Sequence, residues 1–460
     1  MGGKLKALFA QTDMTVGKPW KQIAIFTIPM LIGNIAQQLY NTVDSIVVGK
    51  YVGDNALAAV GSASPILNLL LVLFIGISMG TSIMVSQFFG AKDRESLSKT
   101  IGSTITLTAV SSLIIMVLGS VTIRPLLKML NTPASIIDWC TSYLLILIVG
   151  IMGVAYYNMF CGILRGLGDS LSALVYLLVA TVINIVLDLW FVAGLQMGVA
   201  GVALATVIAQ MVSAVLCFFK LKRMTDVFDL KFKYLKPDME NIMTILRLGL
   251  PSGITQAIFS MAMVVVQSLT NSFGEMVIAA NVIIMRVDGF AMMPNFSFGT
   301  AMTTYSGQNV GAREFDRVHK GAKQGTIIAA GTSAAITGLI LIFGKYLMGI
   351  FTNTSELVTL SANMMKILAV GYIAMAVTQS LSGVMRGAGD TMTPMWISIV
   401  TTVFIRVPLA YGIAHFTKTP ELPGGRYECI WVSLLISWVL GAVLTVVFYR
   451  IGKWKNKGLE

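Results

Sequence analysis

The chain has 460 residues, 56% of them hydrophobic and only 12% charged, with a mean hydropathy of +0.80. Soluble domains carry about twice that share of charge, so the composition excludes a soluble enzyme or nucleic-acid-binding module and points to a protein immersed in a lipid bilayer. The 33 Lys and Arg exceed the 21 Asp and Glu, an excess that on a membrane chain reports topology, because basic residues gather on the cytoplasmic side.

Apolar windows of about 20 residues predict twelve spans, near 21–48, 56–88, 99–120, 137–161, 171–194, 198–219, 244–272, 277–307, 324–346, 359–383, 392–416 and 428–450. The loops between them are too short to hold a separate soluble domain. Lys4 and Lys6 are not followed by a short apolar core with a small-residue cleavage site, so no removable signal peptide is expected. Cys140, Cys161, Cys217 and Cys429 lie in or beside apolar stretches without metal-ligand spacing, which suggests neither a disulfide framework nor a zinc site.

The first span carries Pro29, either a hinge or a proline of the kind membrane helices tolerate, and then Asn34, Gln37, Asn41 and Asp44 on one face. Such a face is unsuited to lipid; Asp44 belongs either to the protein interior or to the far membrane surface near Lys50. The second span ends in Gln87-Phe-Phe-Gly-Ala91, and the fourth in Arg165-Gly-Leu-Gly-Asp169. In the fifth, Thr181, Asn184 and Asp188 share a helix face inside an apolar run. A carboxylate at the centre of a membrane helix costs about 2.5 to 3.5 kcal/mol on insertion scales, so a proton, a cation or a partner must neutralise it. Asp188 is therefore either a transported-ion site or polar glue between helices. Thr206, Gln210 and Ser213 line a face of the sixth span.

Residues 220–240 form the most charged segment, which places the halves at 1–225 and 241–460 with a 226–240 linker. The halves repeat. Arg386-Gly-Ala-Gly-Asp390 matches Arg165-Gly-Leu-Gly-Asp169, and Gln308-Asn-Val-Gly-Ala312 matches Gln87-Phe-Phe-Gly-Ala91, at one and the same offset (386 − 165 = 308 − 87 = 221). Pro251 answers Pro29 to within one position of it. Six spans per repeat is an even number, so both halves enter the membrane from the same side. The expected fold is an all-α integral membrane protein, twelve transmembrane helices in two parallel six-helix repeats with a central cleft.

Span seven offers Ser252, Gln256, Met263 and Gln267 on one stripe, and span eight Asn281, Met285, Asp288, Met292 and Asn295. Asp288, with Arg286 on a different face, is either a second ion site or part of a structural network. Ile405 and Arg406 stand where Asn184 would repeat, and Leu409 where Asp188 would. Tyr40, Tyr156, Trp190, Met285, Met292 and Met293 are either packing or a soft pocket for large flat ligands. The glycine-rich motifs read as turns and helix ends, not phosphate cradles. No GxxxxGK[ST] or HExxH occurs, and His319 and His415 are isolated; neither ATP nor an enzymatic site is expected. Basic residues concentrate on the side holding both termini, the linker and the repeated motifs, predicting a multi-pass protein of the cytoplasmic membrane with both ends in the cytoplasm.

Pro29 with Tyr40-Asn-Thr-Val-Asp44-Ser-Ile-Val-Val-Gly49, the paired Gln-x-x-Gly-Ala and Arg-Gly-x-Gly-Asp motifs, and Asn184-Ile-Val-Leu-Asp188 together resemble the multidrug and toxic compound extrusion (MATE) family, over essentially the whole chain. The resemblance implies exchange of H+ or Na+ for amphipathic, often cationic drugs, with no other cofactor, in what is expected to be a monomer. Its DinF-like branch implies a coupling-ion site at Asp44, Tyr143, Asn184, Asp188 and Thr206, with Na+ at Asp44, Asn184 and Asp188 as the metal alternative. Cys161 falls where that branch has a second asparagine, and Asn158 lies a turn earlier. The NorM-like branch has a glutamate in span seven, where this chain has Gln256 and Ser260. The expected drug contacts are Gln37, Tyr40, Asn41, Trp190, Gln256, Met285, Asp288 and Met292. A lipid or lipid-linked oligosaccharide flippase of the same superfamily is the alternative transporter, and a channel or receptor the alternative outside transport.

Overall fold

The structure, a computed structural model, describes residues 11–458. Lys4 and Lys6, and the expectation about a leader, fall outside that range. The described residues are almost wholly helical and form no β-strand, only an isolated bridge between Thr419 and Leu422.

The first half runs α1 (Pro19–Tyr51), α2 (Asp54–Gly90), α3 (Arg94–Met129), α4 (Ile137–Val149), α5 (Ile151–Gly166), α6 (Ser170–Asp188) with a π-helical extension Leu189–Gly194, and α7 (Gly198–Lys222). The second runs α8 (Met239–Asn271), α9 (Glu275–Gly311), α10 (Phe315–Gly349), α11 (Ser355–Ala369), α12 (Gly371–Gly387), α13 (Met392–Ile399), a π-helical Val400–Arg406 leading into α14 (Val407–Phe416), and α15 (Cys429–Ile451). Among the described residues ten helices are long and apolar enough to cross a membrane, and twelve spans result if each bent pair counts as one. The pairs are α4 with α5, bent by 52°, and α11 with α12, bent by 41°. Their breaks fall beside Gly150 and Gly371, which are repeat partners, and a Cβ there would run into Val207 and Trp438 respectively.

The helices are sided as lipid demands. In α3, Thr100, Ser103, Thr104, Thr108 and Ser112 are buried while Leu118 and Val121 are exposed, so small hydroxyl residues pack inside and bulky apolar ones face out.

Two compact units result, one built on Ile28–Gly253, the other on Met14–Thr27 with Ile254–Glu460. The divisions fall inside α1 and α8, beside Pro29 and Pro251. Each unit repeats the other's backbone. Left-handed residues recur at the offset of the sequence motifs, at Gly53 and Gly274, Lys92 and Arg313, and Gly168 and Gly389. Asp169 caps α6 by accepting the Ser172 N–H at 2.9 Å and its hydroxyl at 2.6 Å; Asp390 accepts from Thr393 N–H at 3.2 Å and its hydroxyl at 2.8 Å. The repeated motifs are thus helix ends. α2 crosses α5 where a Cβ on Gly162 would meet the Ser78 carbonyl, and α9 crosses α12 where one on Gly383 would meet that of Gly299. Both glycines belong to Gly-x-x-x-Gly sequences, which allow backbones to touch.

Residues 226–240 are tied to the first unit. The Arg94 guanidinium donates to the Thr225 carbonyl at 2.6 Å and to Asp229 Oδ1 at 3.0 Å, the Asp229 N–H to Ser98 Oγ at 2.8 Å, and the Thr106 hydroxyl to the Leu235 carbonyl at 2.6 Å.

Candidate functional site

In the first unit, the polar faces of α1, α6 and α7 converge. Asn184 and Asp188, one helical turn apart on α6, are both fully buried, and α1 brings Asp44 against them. With its amide NH2 turned toward the acids, Asn184 donates to Asp44 Oδ1 at 2.8 Å and to Asp188 Oδ2 at 3.2 Å. Its other terminal atom lies 3.4 Å from the Thr206 hydroxyl on α7, and that hydroxyl accepts from Tyr40 Oη at 3.3 Å. Tyr143, buried on α4, lies close enough for the charge of both carboxyl groups to be felt at its hydroxyl. The α6 helix continues from Asp188 directly into its π-helical turns, a distortion frequent at functional sites.

Asp44 and Asp188 face each other closely enough to share a hydrogen bond, and Asp188 Oδ1 is buried without a protein donor. Two unit charges 4 Å apart repel by about 4 kcal/mol at an effective dielectric constant of 20. Such a pair is stable when a proton or a cation sits with it. The residues fit either: with the amide NH2 inward, Asn184 holds a pair that shares a proton; with the carbonyl inward, it joins the two acids and Thr206 in an all-oxygen set suited to Na+.

Of the expected ion-coupling residues, Asp44, Tyr143, Asn184, Asp188 and Thr206 all come together. Tyr40, expected among the drug contacts, joins them through Thr206. Gln37 and Asn41 share α1 with Asp44 but make no side-chain bond into the group; Gln37 is half-buried and Asn41 exposed. Trp190 does not join it. Two residues beyond Asp188 the chain has turned to the opposite face, and Trp190 is 58% exposed and packs on Phe191. Cys161 is buried on α5 beside Tyr157 and Cys217, and Asn158 donates to its own helix at Val154, so neither supplies the second amide.

In the second unit, Asp288 accepts from Tyr372 Oη at 2.9 Å. Met292 is buried next to Asn295, while Met285 is 41% exposed and takes a weak contact from Asn281 at 3.6 Å. Gln256 is exposed, its carbonyl accepting from Ser260. The sequence carried no signal for Tyr372, which follows the glycine at the α11–α12 bend.

The family profile described as MatE matches twice, at residues 29–190 and 251–412. The chain belongs to the MatE family. The two matched segments begin at Pro29 and Pro251, the same repeat that the helix caps trace. Among curated relatives of this MatE chain, the probable multidrug resistance protein YoeA of Bacillus subtilis is 31% identical over 95% of both chains. The probable multidrug resistance protein NorM of Thermotoga maritima is 24% identical over 95% of this chain and 94% of its own. A solved outward-facing multidrug resistance MATE family transporter superposes with a TM-score of 0.89 at 25% identity, covering 97% of this chain and 99% of that one. A MATE structure in the straight conformation does so at 0.89 and 26%, covering 96% and 98%. The MatE chain is therefore a multi-pass membrane transporter.

Proposed function

We propose that this MatE chain is a secondary antiporter that exports amphipathic, often cationic drugs in exchange for H+ or Na+ bound between Asp44 and Asp188. The observation that carries the reading is the Asn184 amide seated between the buried Asp188 and the half-buried Asp44 that faces it. Relatives named as multidrug resistance proteins support the drug side of the exchange. Entry of a cation from outside halves the charge of the acid pair; its release inside restores the full negative charge in a low-dielectric interior, which attracts a cationic drug. Asn184 holds the two carboxyl groups at fixed separation in both states, and the Tyr40–Thr206 chain orients Asn184. On this reading the protein works as a monomer in the cytoplasmic membrane with both termini inside, and draws on an ion gradient rather than ATP.

The test is drug efflux from proteoliposomes with a proton or a sodium gradient imposed separately. Wild type responds to one of the two, and Asp44→Asn or Asp188→Asn lowers gradient-driven efflux to the level without a gradient. Undiminished efflux in both variants rejects the mechanism.

A further inference from the structure

The first unit holds a cavity of about 480 Å³ that the proposed exchange does not use. Lys99 and Ser103 of α3 line one wall, and Lys233, Lys236 and Asp238 of the linker line the other. The linker wall lies directly on the helix. A Cβ on Gly102 would collide with the Tyr234 carbonyl, and the Thr106 hydroxyl donates to the Leu235 carbonyl at 2.6 Å. Backbone contacts on both sides of Ser103 therefore fix the shape of the cavity.

The acids at the cavity are already engaged. Glu95 pairs with Lys99 at 3.0 Å, and Asp238 accepts from the Glu240 N–H at 3.1 Å and the Asn241 side-chain amide at 3.0 Å, at the start of α8. Lys233 rests over the Tyr234 ring, 4.5 Å from its centroid, and among the described residues neither it nor Lys236 forms an ion pair. Ser103 is 1% exposed and its hydroxyl has no hydrogen-bond partner; of the unpartnered hydroxyls on α3 it is the one that lines the cavity. A buried hydroxyl without a partner is costly, and beside two uncommitted ammonium groups it suits an anionic oxygen.

Apolar surface adjoins this charge. Phe232 and Met239, at either end of the lysine-bearing stretch, are 90% and 65% exposed. Along α3, Ser103, Val110, Ile114, Val117 and Val121 fall within about 40° of one line at about 100° per residue, and the valine and isoleucine side chains of that line are all exposed. One helix face thus runs from the cavity onto lipid-facing surface. We propose that the cavity binds the phosphate of an anionic phospholipid, held by Lys99, Lys233, Lys236 and the Ser103 hydroxyl, with the acyl chains along the 110–121 face. A free phosphate has no use for the apolar continuation, and a zwitterionic headgroup would bring its ammonium group against the lysines. On the orientation proposed above the lipid belongs to the cytoplasmic leaflet, whose anionic headgroups seek basic pockets.

The test uses purified full-length protein in detergent micelles, with lysine acylation by acetic anhydride read residue by residue by mass spectrometry. Dioleoyl phosphatidylglycerol is titrated in, and phosphatidylcholine of the same chains and inorganic phosphate are separate arms. Phosphatidylglycerol slows acylation of Lys99, Lys233 and Lys236 about fivefold or more, while Lys92 and Lys222, exposed lysines outside the cavity, change by less than about twofold. Ser103→Ala, which leaves the charge unchanged, raises the lipid fraction for half protection about tenfold, and Lys233→Gln raises it about fivefold. Monodisperse elution establishes folding of each variant, and the wild-type protection pattern carries the test if a variant does not fold. Equal slowing at Lys92 and Lys222, which is attraction to the micelle surface alone, overturns the proposal. So does absence of protection, equal protection by phosphatidylcholine or inorganic phosphate, or a Ser103→Ala variant protected like wild type. No gradient is imposed, so failure here is distinguishable from failure of the antiport reading.

Discussion

Asn184 is the residue through which the first unit's polar side chains meet. Its amide touches both acids, and its far end meets Thr206, which in turn takes the Tyr40 hydroxyl. A neutral hydrogen bond is worth about 0.5 to 1.5 kcal/mol net, so loss of one link weakens the site without dismantling it. Thr206→Val is expected to weaken the apparent affinity for the driving ion about tenfold. Because Tyr40 acts through that hydroxyl, Tyr40→Phe added to Thr206→Val costs little more, as double-mutant analysis of ion-dependent efflux will read. Fully additive losses would mean that Tyr40 reaches the acids by another route. Much of this group was legible beforehand, since the three-and-four spacing of polar residues on α1 and α6 requires an interior face. Tyr40 was visible only as an aromatic near the stripe, because spacing shows which face a residue occupies but not which hydroxyl it reaches across a helix boundary. The same limit applies to Trp190, whose size suggested a pocket: its angle from Asp188 sets it apart from the acids, on the exposed face of the π-helical turns.

Helix crossings at glycine set how close α2 lies to α5 and α9 to α12. Gly162 and Gly383 hold equivalent positions, and at each a side chain would collide with backbone, which cannot swing aside as a flexible side chain can. Gly162→Val and Gly383→Val are each expected to destabilise by about 1 to 3 kcal/mol, the usual cost of overpacking. Gly331 on α10 is exposed with open space around it, and Gly331→Ala is expected to be neutral or slightly stabilising. Thermal unfolding in detergent checks the three together, and equal midpoints for all would contradict the packing argument. The π-helical turns after Asp188 and before Arg406 had no signature in the residue pattern, since hydrophobic periodicity is too coarse to register one extra residue per turn.

Across the whole molecule, one backbone plan is used twice with opposite chemistry. The caps, left-handed residues and bent pairs recur at a constant offset, whereas the first unit brings two acids to one amide and the second holds its acid on a tyrosine hydroxyl. The segment joining the repeats is pinned to α3 rather than loose. Arg94 holds the Asp229 carboxyl below its usual range. A carboxylate with a lowered folded pKa contributes its stabilisation above its unfolded value, about 3.9, and loses it as pH falls through the lower folded value. Protease cleavage within 226–240 is therefore expected to rise below about pH 4, and Arg94→Ala to raise it already at neutral pH. Cleavage independent of both would show that the Thr106 and Ser98 contacts alone hold the segment.

The residue pattern by itself determined the twelve spans, the repeat and the buried acids, because lipid imposes span length and forbids an unaccompanied charge, and both constraints act locally along the chain. Only the tertiary structure decided which partners those charges meet: the amide between Asp44 and Asp188, Tyr372 on Asp288, and the unpaired Nε of Arg406. Those contacts join helices far apart in sequence. Each residue turns a helix face by about 100°, so a shift of one or two positions in helical phase separates a ligand from a lipid-facing residue.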